Sequence, residues 1–144
     1  MAYTAAKAGD ALVRSGQSDE YMVLIHEPSA SFTISANDSV VEAKGRSLVV
    51  VPPGESSVTL GGDGAVVRVF TTQSEDLCAN CANDAFYVTP DPNVAPYKAW
   101  PDPRDGRRIR IYALDEVAPS PERFGRLYRC STLMVNMAIA SRRR

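Results

Sequence analysis

Short apolar runs broken by turn residues dominate the first half of the chain. Tyr21-Met-Val-Leu-Ile25 is compact and apolar and stops before Pro28. Phe32 and Ile34 alternate with Ser31, Thr33 and Ser35, which sets the two apolar side chains on one face of a strand. Asn37-Asp38 supplies turn chemistry, Val40 and Val41 predict a short strand, and Gly45 marks another turn. Residues 48–51 read as a buried strand, and Pro52-Pro53-Gly54 ends it, because proline removes ladder donors and glycine permits positive φ. Val58 and Leu60 alternate again. Gly61-Gly62-Asp63-Gly64 has hairpin composition, and residues 66–70 predict the next strand, with Arg68 on the face opposite Val67 and Val69.

Beyond this point the pattern changes. Residues 75–83 carry helix formers, with Ser74 or Asp76 as possible N-caps, and predict one short helix. Residues 89–107 hold Pro90, Pro92, Pro96, Pro101 and Pro103 and then the turn pair Asp105-Gly106, the composition of an extended arm running over a surface. Arg108-Ile-Arg-Ile-Tyr112 alternates as a strand with one solvent face, and residues 127–137 again have strand composition. Strands spaced by turns, with no βαβ alternation and no internal repeat, predict an all-β sandwich or barrel. The expected division is a β-barrel core at 1–88, the proline-rich arm at 89–107, and C-terminal strands at 108–144 that complete the barrel or pair with a partner subunit.

A chain of 144 residues is long enough for one domain with a real core. Sixteen basic residues against 17 acidic ones create no global field to gather nucleic acid or an anionic membrane, so neither partner is expected. Arg142, Arg143 and Arg144 form the one basic cluster, either a solvated tail or an anchor for an acidic partner. There is no apolar stretch of about 18 residues and no basic-then-apolar leader. Three cysteines are an odd number, which argues against a disulfide framework and fits a reducing cytoplasm.

The segment from Gly45 to Phe70, with Val49-Val-Val-Pro-Pro-Gly-Glu-Ser-Ser-Val-Thr-Leu60 at its centre, resembles the second motif of the cupin superfamily, in which a strand runs into a Pro-x-Gly turn and a histidine follows the glycine by three positions. Pro52 and Gly54 match that turn, and the histidine position falls on Ser57. The upstream motif, two histidines and a glutamate, would lie near residues 14–20, where Glu20 is available and no histidine is present. This resemblance covers roughly residues 12–72. It implies a jelly-roll barrel that has lost its metal ligands, with no cofactor. Arg126-Leu-Tyr-Arg-Cys-Ser-Thr-Leu-Met-Val-Asn136 is similar to the entry into a second barrel of two-barrel cupins, so the whole chain resembles the metal-free N-terminal half of such a protein.

Several side chains carry candidate chemistry. His26 is the only histidine, too few for the three-histidine, one-glutamate centre that the resemblance implies. It reads either as a strand-end imidazole bonded to backbone or Glu27, or as a general base with Glu20, Glu55 or Tyr21 in a metal-independent isomerase, epimerase or lyase. Ser56, Ser57 and Thr59 line the expected ligand entrance and suit a small polar molecule. Cys78-Ala-Asn-Cys81 reads as two small helix residues, as a redox pair, or as half a zinc site with Cys130 and His26. Tyr87, Tyr97, Trp100 and Tyr112, interleaved with Arg104, Arg107 and Arg108, either staple the arm to the barrel or stack on bases. The expectation that emerges is a degenerate cupin domain, binding a small molecule or serving assembly, and more a module than an enzyme. A homodimer is expected because the apolar strand at 127–137 must pair with something.

Overall fold

A computed structural model describes residues 1–89, 92, 93, 95 and 101–116. Nine strands form two antiparallel sheets among these residues. The first sheet contains β1 (Ala2–Ala6), β3 (Tyr21–Ile25), β6 (Ser47–Val51), β8 (Gly64–Val69) and β9 (Arg110–Ala113), in the order β1-β8-β3-β6-β9. The second contains β2 (Ala11–Gln17), β4 (Ser31–Ala36), β5 (Ser39–Lys44) and β7 (Gly54–Leu60), in the order β2-β7-β4-β5. The all-β expectation therefore holds, whereas closure into a barrel does not: the two sheets share no hydrogen-bonded strand pair. Between β5 and β6 Arg46 adopts a left-handed φ of 55° where the chain passes from one sheet to the other.

Alternation builds the interior. Tyr21, Val23 and Ile25 of β3 face Phe32, Ile34 and Ala36 of β4 and Val58 and Leu60 of β7, and Val49, Val51 and Val66 complete a dry layer of almost wholly buried side chains. Register holds these faces together: Val23 pairs with Val49 across β3–β6, and Ile34 with Val58 across β4–β7. Burial of this many branched side chains supplies most of the stability, at about 1.5–3 kcal/mol for each one fully removed from water.

The N-terminal strands have no counterpart in the sequence reading. β1 and β2 lie at the edges of their sheets and carry Ala, Thr, Arg and Ser, so they lack an apolar run. Of the single helix expected over 75–83 only its first turn is helical, α1 (Glu75–Cys78), and a second four-residue helix, α2 (Ala85–Val88), lies beyond that span. Ser74 sits at the N-cap of α1 but makes no capping bond, because its hydroxyl is engaged by Gln17 instead. The strand expected at 108–112 is β9, paired antiparallel to β6. The strand expected at 127–137, and the basic cluster at 142–144, lie outside the described residues.

One glycine fixes the β5–β6 corner. A Cβ on Gly45 would overlap the backbone carbonyl oxygens of Glu27 and Pro28, whereas one on Gly62 would meet open space. Gly45→Ala is therefore expected to destabilise the fold by about 2 kcal/mol or more, and Gly62→Ala to stay within about 0.5 kcal/mol of the parent. Urea denaturation of both variants checks the contrast.

Candidate functional site

The dry layer gives way to polar groups at one end of the sandwich. Arg14 follows Leu12 on the inward face of β2 by ordinary alternation, and Gln17 would face outward but for a bulge between Arg14 and Gln17, with Gly16 at φ 60°. Arg14 and Gln17 therefore both reach the interior end; Gln17 is buried, and the Arg14 side chain is only 16% exposed. Glu55 secures the bulge by accepting the Gly16 N–H at 2.8 Å. Opposite them stand Tyr21, at the start of β3, and Ser56, the cross-strand partner of Arg14. Arg68 is the inward residue next after Val66 on β8, between Ala2 and Val23 of the flanking strands. Phe70 follows, packed against the core.

These groups interlock. The Tyr21 hydroxyl and Ser56 Oγ are 3.0 Å apart and buried. The Tyr21 ring stacks on Phe70 with centroids 4.8 Å apart. Both guanidinium groups lie near the Phe70 ring, Arg14 at 5.3 Å and Arg68 at 5.6 Å from its centroid, within cation–π range. Arg14 makes a two-pronged pair with Asp76 at 2.6 and 2.8 Å and donates Nε to Gln17 Oε1 at 2.8 Å. Gln17 Nε2 in turn donates to Asp19 and to Ser74, and Thr71 donates to Asp19. The segment around α1 is thus pinned over the end of the sandwich by side-chain bonds.

Electrostatics divides the two arginines. The hydrogen bond to Asp76 raises the Arg14 pKa against the opposing effect of burial, and the same bond holds the Asp76 carboxyl below its ordinary value of 3.8. Among the described residues Arg68 has no such partner: its Nε and Nη1 are buried without an acceptor, burial pulls its pKa down, and the Arg14 charge adds to that pull against the opposing influence of Tyr21. Burial likewise raises the Tyr21 phenol, opposed by the Ser56 bond and by the nearby Arg68 and Arg14 charges.

The residues singled out from the sequence are scattered by this geometry. Tyr21 and Ser56 belong to the cluster. Ser57 and Thr59 sit on the opposite, outer face of β7, where Ser57 pairs with Val13 and Ser35. A histidine in the motif position, Ser57, would therefore point away from the interior; the inward residue is Ser56, one position earlier. Glu20 is paired with Arg110 at 2.8 Å, and Glu55 serves the bulge. His26 is exposed beyond the far end of β3, roughly 16 Å from Tyr21 along the strand at about 3.3 Å per residue. Cys78 ends α1 instead of opening it, Cys81 lies in the turn beyond, and their sulfurs contact the carbonyls of Thr72 and Leu77. Cys130 lies outside the described residues. In the arm, Arg107 pairs with Asp102 and Arg108 with Asp105; Tyr97, Trp100 and the Tyr87 side chain lie outside the description. Among the described residues, no three His, Cys, Asp or Glu side chains group as metal ligands, and no helix is long and apolar enough to cross a membrane.

Arg14, Gln17, Arg68 and Phe70 escaped the sequence reading. Arg68 was legible only as the residue opposite Val67 and Val69, and the bulge that admits Gln17 has no signature beyond Gly16. No protein-family model matches the chain, and no curated protein matches it.

Two expectations test this site. Tyr21→Phe strands the buried Ser56 hydroxyl and is expected to cost about 1–3 kcal/mol, while adding Ser56→Ala costs less than the sum of the single changes, as a double-mutant cycle in urea would show. Because the folded-state pKa of Asp76 is depressed, its stabilising pair with Arg14 is present above the ordinary aspartate range and lost as pH falls through the lower folded value. Asp76→Asn is therefore expected to lower the urea midpoint at neutral pH and to match the parent in strong acid.

Proposed function

We propose that this chain is a degenerate cupin-type jelly-roll domain that works as a small-molecule-binding or assembly module and not as a metal-dependent enzyme. Strand order supports the fold half of this reading. The series β1-β8-β3-β6 facing β2-β7-β4-β5 is the order of two interleaved Greek keys, in which every connection from β1 to β8 except the β4–β5 hairpin crosses to the other sheet. The Pro52-x-Gly54 turn joins β6 to β7 at the polar end, and Gly54 takes a φ of 107° there.

The observation that carries the functional half is the pair of inward guanidinium groups. A site meant for a cation needs imidazole nitrogens or carboxylates with free lone pairs. This end offers Arg14 and Arg68, which repel a cation, and donors from Gln17, Tyr21 and Ser56. The residues present do not fit the family's metal. They fit a polar molecule that accepts hydrogen bonds. The assembly alternative draws on open edges: Tyr3 on β1 and Val40 on β5 are apolar side chains exposed on edge strands, the places where a second copy of the chain would add to a sheet.

Purified full-length protein exposed to Mn(II), Fe(II) or Zn(II) and then desalted is expected to retain no stoichiometric metal. A thermal-shift screen of small polar molecules is expected to yield binders whose effect depends on Tyr21 and Ser56. A stoichiometric ion held at this end would overturn the reading. So would a screen without any hit combined with a monomeric mass in light scattering.

A further inference from the structure

Donors outnumber acceptors at the polar end. Arg14 has an acceptor at each of its three nitrogens, with both Nη atoms on Asp76 and Nε on Gln17. Arg68 does not: two of its buried nitrogens have no acceptor, and no carboxylate pairs with it among the described residues. The Tyr21 and Ser56 hydroxyls carry two protons and share one hydrogen bond, so a further O–H donor is left over beside it. Buried polar atoms are nearly always satisfied, and a charged group left without a partner is the costliest exception. Contact with the Phe70 face offsets only part of that cost.

We infer that this end of the sandwich binds a small carboxylate anion, held by Arg68, Tyr21 and Ser56, with Asp76 acting as an internal competitor at the adjoining Arg14. The proposal rests on the binding-module reading of the same site and names the ligand class. A planar carboxylate offers the bidentate acceptor geometry that a guanidinium fork prefers, and Asp76 already shows that geometry on Arg14. It also supplies the negative charge that a water molecule lacks. Arg68 Nε and Nη1 are sealed from solvent, so the ligand enters where the α1 segment is held by Asp76, Ser74 and Thr71. Removing the Asp76 charge both loosens that rim and removes a repelling anion.

The test uses the full chain, 15N-labelled, titrated with sodium acetate, with sodium chloride at matched ionic strength as the control and inorganic phosphate as the alternative oxyanion. Acetate is expected to shift the Arg68 Nε–H resonance saturably and to raise the thermal midpoint, as any ligand specific to the folded state does. Asp76→Asn is expected to tighten acetate binding, and Arg68→Met to abolish it. Arg68→Lys keeps the charge without the fork and is expected to weaken binding about tenfold or more; it decides the matter if the Met variant does not fold. An unchanged acetate response in either Arg68 variant, or one equal to that of chloride, overturns the proposal. Saturable phosphate binding with acetate silent also overturns it. A neutral hit from the screen at Tyr21 and Ser56, with acetate silent, sinks the anion assignment and leaves the binding module standing.

Discussion

Two facing sheets stay dry only as far along as their alternating strands supply apolar side chains. Here that supply is continuous from Ile25 and Val66 to Val23, Val49 and Val58, and it stops at the level of Tyr21 and Ser56. Everything chemically distinctive about the protein follows from how the remaining end is closed. A large aromatic with a polar tip, Tyr21, forms the boundary: its ring stacks on Phe70 within the apolar layer, and its hydroxyl meets Ser56.

Beyond Tyr21 the closure is ionic. The bulge at Gly16 brings Gln17 inward beside Arg14, and the α1 segment answers with Asp76 and Ser74. Sequence separation makes this closure a tertiary event, since Arg14 and Asp76 are 62 residues apart. The arrangement gives Arg14 its acceptors and leaves half-buried Arg68, among the described residues, with two buried nitrogens that have none. A fold that carried this end for stability alone would do better with an apolar residue at 68, because buried charges without partners are costly. That imbalance is what the proposed binding role draws on.

Much of the framework was visible in the pattern of residues. The runs at 21–25, 31–35, 48–51 and 66–70 became β3, β4, β6 and β8 because Val, Ile and Phe recur with a strand's period and are bounded by Pro, Gly and Asn. β1 and β2 were not visible, since an edge strand exposed on one face needs no apolar alternation to be held by its neighbour. The helix expected at 75–83 stops after Cys78: its capping serine, Ser74, satisfies Gln17 and not the helix. The candidate serines were half legible. Ser56 lies at the site, but counting from Gly54 favoured Ser57, and a strand sends neighbours to opposite faces. Glu55, a candidate acid or base from its position, became a bracket for the bulge.

The chain's own pattern determined that it is an all-β protein with an aliphatic interior, because strand periodicity and turn chemistry are local properties of neighbouring residues. Which way Arg68 faces, which carboxylate Arg14 receives, and where Tyr21 finds its acceptor were decided only in three dimensions. Those outcomes depend on a one-residue bulge and on pairings between strands distant in sequence. Side-chain type along the chain encodes how much surface must be hidden; the register of one sheet against the other decides which charge is left inside without a partner.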